Sequence, residues 1–150
     1  MDTKEKLVTT LHEAMKNNNE VVKRTLRMVL TNVKLAEVEK GVALDETSML
    51  ALLQKEIKMR NESIAEAEKA NRPDLAASNH DEIAVLESFL PKQMSEDELR
   101  ALVAGAIDEV QAKLPSDMGK VMKTVLPKIQ GRAANDQISR VVREMLSKNS

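Results

Sequence analysis

Six cations in the last third of the chain carry its clearest chemical signal: Lys120, Lys123, Lys128, Arg132, Arg140 and Arg143. They lie in a stretch, Met118 to Leu146, that reads as two short amphipathic helices joined by a Gly-containing loop. Met118, Val121, Met122, Val125 and Leu126 line one side of the first helix, with Lys120 and Lys123 on the other. Ile138, Val141, Val142, Met145 and Leu146 line one side of the second, with Arg140 and Arg143 opposite. At about 100° per residue, both basic pairs point away from their apolar stripes. Two such helices burying their stripes in a common core present four cations to solvent, with Lys128 and Arg132 on the connection. That surface suits an anionic partner. Clustered Lys and Arg bind phosphates by direct attraction and counterion release, and the guanidinium fork matches phosphate geometry. The plainer reading of the same charges is a solvated face that maintains solubility.

Other chemistry finds little support. His12 and His80 are far apart and show no metal-ligand spacing, and there is no cysteine to serve as thiolate ligand or nucleophile. Ser63, Ser95 and Ser139 lack a nucleophile-elbow context. No phosphate-binding Gly-Lys-Ser/Thr loop or dinucleotide fingerprint occurs. No catalytic residue, metal site or cofactor is therefore expected. Phe89 is the only aromatic residue, which disfavours stacking on single-stranded bases. A folded, double-helical RNA backbone, recognised by shape and phosphate, fits better.

The positions that must hold these cations are helical. The chain has 150 residues with four Gly, four Pro and nine Met, a composition that favours helices over sheets. No apolar run is long enough for a membrane span, and the start has no secretory pattern, so no membrane partner and a cytoplasmic location are expected. Net charge is −1, but from Lys113 onward eight bases face three acids, a surplus of five. That asymmetry assigns different partners to the two ends.

Amphipathic spacing predicts a first helix over Thr3 to Lys16 and a second from about Glu20 to Lys40, stopped by Gly41. Asp45 is placed to cap a third. The apolar stripe of that helix thins beyond Arg60, so its second half either projects or packs along a narrow seam. Lys55, Glu56, Lys58, Met59 and Arg60 read as a charged surface, with Glu56 and Arg60 spaced for an i,i+4 pair. Arg72-Pro73-Asp74 restarts the helix as a fourth. Leu90-Pro91 marks a domain boundary, giving 1–90 and 91–150. Ser95-Glu96-Asp97-Glu98 is a capping box opening a fifth helix. Ser116 or Asp117 caps a sixth, Pro127 limits it, and Asn135 caps a seventh. Gly119, one turn into the sixth, suggests tight helix crossing or ligand approach, because Gly there costs about 1 kcal/mol relative to Ala. The expectation is an all-α protein of two helical lobes.

The blocks TLRMVL (25–30), LLQKEIKMRNESI (52–64), RPDLA (72–76), FLPKQMSEDEL (89–99), DMGKVM (117–122) and GRAANDQISRVV (131–142) resemble the GatB/YqeY domain family, specifically its free-standing YqeY-like proteins. The resemblance implies an N-terminal α-helical domain and a small C-terminal three-helix domain similar to the tail of the B subunit of tRNA-dependent amidotransferases. In those enzymes the tail helps hold tRNA, while ammonia release and ATP-dependent activation occur elsewhere. Arg132-Ala133-Ala134-Asn135 stands where such proteins commonly have Arg-Ala-Asp-Gly, and Asn tolerates the positive φ that a Gly would supply. Ala67 stands near a position where an aromatic is often found.

Three functions follow as expectations. The first is a tRNA-binding accessory protein using Lys120, Lys123, Lys128, Arg132, Arg140 and Arg143, with a translation-related protein meeting the N-terminal lobe. The second is a component of a glutamine-dependent carbon–nitrogen ligase (an amidotransferase) that needs other subunits for catalysis. The third is a helical adaptor that binds protein through the third helix.

Overall fold

The computed structural model describes residues 2–149, where the regular structure is seven α-helices and one short 3-10 turn. The all-α expectation holds. The helices fall into two compact units, Met1–Leu90 and Pro91–Ser150.

The first unit contains α1 (Thr3–Lys16), α2 (Glu20–Lys40), α3 (Glu46–Lys69) and α4 (Pro73–Glu87). Local chemistry sets their ends. Asp2 and Glu5 form a reciprocal capping box on α1. Gly41 ends α2 in the left-handed region at φ 76°, donating its N–H to the Glu37 carbonyl at 2.8 Å. The Asp45 carboxylate accepts the Ser48 N–H at 2.8 Å and caps α3. Pro73 occupies the first position of α4, where a missing N–H is harmless.

Leu7, Leu26, Val29, Val33, Met49, Leu53 and Leu86 form the core of this unit. A smaller cluster of Ile64, Ala67, Ala76 and Ile83 joins the second half of α3 to α4. That half of α3 therefore packs along a narrow seam and does not project. Ala67 is buried there, so no aromatic platform for a base exists at that position.

The Glu56–Arg60 pair departs from expectation. It is no charged surface: Glu56 and Arg60 are each 6% exposed and Glu82 is 9%. The Arg60 guanidinium lies 2.7 Å from the Glu56 carboxylate and 3.3 Å from that of Glu82 on α4. It also donates to the sulfur of Met28 on α2 at 3.3 Å. Asn32 donates to the remaining oxygen of Glu56 at 2.7 Å, and Arg24 approaches Glu82 at 3.8 Å. Helical spacing placed Glu56 and Arg60 on one face, but α2 and α4 cover that face.

The second unit contains α5 (Glu96–Val110), the 3-10 turn Pro115–Asp117, α6 (Met118–Ile129) and α7 (Asn135–Asn149). Its core includes Leu99, Val103, Val121, Val125, Ile129, Ile138, Val141, Val142 and Leu146. Most of the expected stripes are buried, with one exchange. Leu126 is 41% exposed, and Ile129, one turn after Val125, takes the core position at 2%.

Four local expectations are corrected. Ser95 accepts the Glu98 N–H at 3.1 Å, as a capping box requires, but the Glu98 carboxylate turns to Arg132 rather than back to the cap. Asp117 accepts the N–H groups of Lys113 and Leu114 at 3.0 and 3.2 Å, so it closes the preceding loop and makes no side-chain cap on α6. Pro127 sits within the last turn of α6, which continues to Ile129. The left-handed residues of the α6–α7 connection are Gln130 and Gly131 at φ 51° and 77°; Asn135 is the first residue of α7 and needs no positive φ.

Gly119 also differs from expectation. A Cβ there meets nothing within 4 Å, so no tight helix crossing explains it; the same holds for Gly105 within α5. Gly105→Ala is expected to stabilise the chain by about 1 kcal/mol, through helix propensity and a less disordered unfolded state. Gly119→Ala, in the first turn of α6, should stabilise by less. Urea unfolding followed by circular dichroism measures both, and destabilisation by either variant contradicts the open surroundings.

Candidate nucleic-acid interface

The six cations all lie in the second unit, on α6, α7 and their connection, but the fold divides them into two groups. Lys120, Lys123 and Arg143 are exposed. Lys120 meets Asp117 only at 4.0 Å, with its own side chain 72% exposed. Lys123 and Arg143 have no ion-pair partner among the described residues.

The other three are engaged. Lys128 lies 2.9 Å from Glu109 near the end of α5. Arg132 donates through Nε to the Lys92 carbonyl at 2.8 Å and lies 3.1 Å from Glu98. Arg140 lies 2.7 Å from Glu96 and 3.2 Å from Glu144. Arg100 completes a ring of alternating charge, 2.8 Å from Glu144 and 3.6 Å from Glu96. Within the ring, Glu96 and Arg100 are one turn apart on α5, and Arg140 and Glu144 are one turn apart on α7. The two i,i+4 pairs face each other and clasp the helices.

The electrostatics follow the geometry. The hydrogen bond from Arg140, then its charge and that of Arg100, holds the Glu96 carboxyl below its ordinary range. Hydrogen bonds from Arg100 and Arg140 do the same for Glu144. Arg140 is in turn held more firmly protonated, first by its hydrogen bond to Glu96 and then by that to Glu144. These groups are solvated, so each pair adds little to stability.

A single cationic ridge is therefore not what the fold builds. Glu96, which holds Arg140, and Glu109, which holds Lys128, are thirteen residues apart on α5, about 20 Å along its axis. The charge surplus is also smaller than the sequence tail suggests. Residues 91–150 carry ten bases and eight acids, because the acidic first turn of α5 belongs to the same unit as the basic tail. Sequence reasoning missed Arg100, Glu96, Glu98 and Glu144 as neighbours of the site. The i,i+4 spacings of Glu96–Arg100 and Arg140–Glu144 were the available signal.

Among the described residues, the histidines do not add a chemical centre. His12 and His80 are both exposed, and no three His, Asp or Glu side chains among the described residues are grouped as a metal site. Among the same residues, no helix is long and apolar enough to cross a membrane.

Fold and surface together define an all-helical protein of two compact units, the second carrying a partly neutralised basic face. The chain belongs to the Yqey-like protein family, whose model it matches over residues 4–146. The family to which the sequence blocks pointed is thus the one found. The chain is similar to the Altered inheritance of mitochondria protein 41, mitochondrial, of Lachancea thermotolerans, at 31% identity over 137 residues, covering 89% of this chain and 72% of the relative. It is also similar to the protein of the same name from Pyrenophora tritici-repentis, at 26% identity over 144 residues, covering 94% and 79%.

Proposed function

We propose that this chain is an RNA-binding accessory protein whose ligand is structured RNA of the tRNA kind. The observation that carries the reading is the set Lys120, Lys123 and Arg143: exposed, directed away from the core of the second unit, and, among the described residues, without a carboxylate closer than the 4.0 Å contact of Lys120. Such charges bind a phosphate backbone by releasing its counterions. The C-terminal blocks resemble the tRNA-holding tail of amidotransferase B subunits, which agrees with this chemistry. Phe89 packs against the first unit's core, so the ligand is read through its backbone and shape rather than by stacking. Any part in a glutamine-dependent carbon–nitrogen ligase belongs to an assembly in which other subunits supply the nucleophile and the ATP site. The cytoplasm remains the proposed location; the mitochondrial label belongs to the fungal relatives.

The test is the triple charge reversal Lys120→Glu, Lys123→Glu and Arg143→Glu, with binding of unfractionated tRNA followed by fluorescence anisotropy across a salt series. Each lost phosphate contact should flatten the log–log salt slope by about 0.7 to 0.9. Isotherms that superimpose on those of the parent would reject the three positions. Arg140→Glu, which the sequence alone recommends, is a poor probe. It sets a third carboxylate against Glu96 and Glu144 and opens the α5–α7 clasp. Gly119→Ala adds an independent measure. The bare backbone beside Lys120 leaves room for a phosphate, so the variant should weaken RNA binding while Gly105→Ala leaves binding unchanged.

A second reading, a protein adaptor, is favoured by one feature. Leu35 and Val38 near the end of α2 and Val42 just after it are 62%, 73% and 65% exposed, and Val38 and Val42 line a shallow groove together with Lys4 and Lys34. A protein partner of the N-terminal unit would meet that surface rather than the thin half of α3, which α4 covers.

A further inference from the structure

The three engaged cations are not equivalent. Lys128 pairs singly with Glu109, at the far end of α5 from the others. Arg132 and Arg140 both meet the first turn of α5, through Glu98 at 3.1 Å and Glu96 at 2.7 Å. Each of these pairs joins a guanidinium to a carboxylate, and each carboxylate stands where a phosphate oxygen would stand in a bound polyanion. We propose that Arg132 and Arg140 form a latent phosphodiester-binding site on this unit, which the Glu96 and Glu98 carboxylates occupy until an RNA backbone displaces them. The inference rests on the reading of this unit as an RNA binder.

Three observations support exchange rather than a permanent structural bond. First, all four side chains reach solvent: Arg132 is 35% exposed, Arg140 46%, Glu96 48% and Glu98 55%. A phosphate can therefore replace a carboxylate without unfolding anything, and solvated pairs of this kind contribute little to stability. The contrast within the same chain is Arg60, 7% exposed at its side chain between two equally hidden carboxylates, where no ligand can enter. Second, Arg132 is already oriented. Its Nε is held by the Lys92 carbonyl at 2.8 Å, which leaves its outer edge toward Glu98 as the exchangeable one. Third, Glu98 makes this pair in place of the return bond to Ser95 that its capping-box position offers. The carboxylate therefore has a second use to return to when a phosphate takes Arg132.

The device has a simple electrostatic meaning. The acidic turn sets a threshold, so that an isolated anion does not displace it and a backbone presenting several phosphates at once does. Lys120, Lys123 and Arg143 make the first contacts, and Arg132 and Arg140 join as the carboxylates leave.

The experiment uses the full chain and unfractionated tRNA. Glu98→Gln alone frees Arg132 and leaves the four-charge ring intact. Glu96→Gln with Glu98→Gln frees Arg132 and loosens Arg140. Asp97→Asn with Asp108→Asn removes an equal number of charges, two, from the same helix α5, at positions with no arginine partner among the described residues. Because Arg132 and Arg140 meet phosphate in the bound parent as well, the single variant should raise affinity severalfold and the double roughly tenfold at low salt, with the log–log slope little changed. Arg132→Gln in the parent, by contrast, should flatten that slope by about 0.7 to 0.9. The aspartate control should raise affinity far less and leave the slope unchanged. If both double variants raise affinity alike, or Arg132→Gln leaves the slope of the parent unchanged, the latent site is rejected. Parent binding that depends on Lys120, Lys123 and Arg143 beside an unresponsive Glu98→Gln removes this inference and leaves the proposed function standing. A parent that binds no tRNA at any salt overturns the proposed function, and this inference with it.

Discussion

Replacing Arg60 by Met is expected to lower the stability of the chain by about 3–5 kcal/mol. The substitution keeps a long flexible side chain that fills much of the same space, so packing contributes little to the loss. Its main effect is electrostatic. Glu56 and Glu82 would remain buried with their shared cation gone, and Arg24, at 3.8 Å and half exposed, is too distant to replace it. In the parent, no buried side-chain N or O among the described residues lacks a hydrogen-bond partner, so the variant introduces a defect where none exists. At roughly 3–8 °C per kcal/mol the midpoint of thermal unfolding should fall by about 10 °C or more. The control is the triple replacement Glu56→Met, Arg60→Met and Glu82→Met. Removing all three charges together leaves no buried charge unpaired; Asn32 loses its acceptor on Glu56, but most of the loss should be recovered. Thermal melts followed by circular dichroism decide it. A Tm for Arg60→Met within a degree or two of the parent would mean that the network is solvated in solution. The same comparison applied to the exposed Arg72–Asp74 pair should show almost no change.

Leu146→Ala should cost about 2–5 kcal/mol and Leu126→Ala no more than about 1. Both leucines belong to the apolar stripes of the last two helices, and in sequence they are indistinguishable by type and spacing. In the fold, Leu146 is fully buried in the core of the second unit, among Leu99, Val103, Val125 and Val142. Truncating it leaves a cavity that the surrounding helices fill only in part. Leu126 is 41% exposed, and Ala is at least as good a helix former. Ile129→Ala, at the core position that replaces Leu126, should fall with Leu146→Ala. Urea titrations giving equal midpoints for Leu126→Ala and Leu146→Ala would show that α6 is rotated relative to this description.

The helices were legible because their signals are local. Thr3–Lys16 and Glu20–Lys40 begin and end where the amphipathic spacing and Gly41 place them. The Asp45 cap is made as its type and position imply. A cap or a stop depends on atoms within four residues, so the chain displays it directly. Where a local signal had two possible uses, the reading failed. Asp117 stands at the N-cap position of α6, but its carboxylate closes the preceding loop instead of bonding the helix, and Glu98 reaches Arg132 rather than the cap backbone of Ser95.

The candidate site was legible in composition and not in arrangement. The exposure of Lys120, Lys123, Arg140 and Arg143 follows from helical periodicity, since each lies opposite an apolar stripe. Their partners do not follow from it. Arg132 and Glu98 are 34 residues apart, and Arg140 and Glu96 are 44, separations across which no periodicity carries information.

What the amino-acid sequence determined by itself was the all-helical architecture, most helix boundaries, the family, and the presence of unusually placed bases in the last third. What only the tertiary structure decided was which charges remain available. Packing α5 against α7 brought Glu96 and Glu98 onto Arg140 and Arg132, and packing α2 and α4 over α3 buried Arg60 between Glu56 and Glu82. The physical reason is one of range. Backbone propensity and side-chain periodicity act over a few residues and are written along the chain. Ion pairing and burial depend on distances between elements, which come into being only when the apolar faces meet.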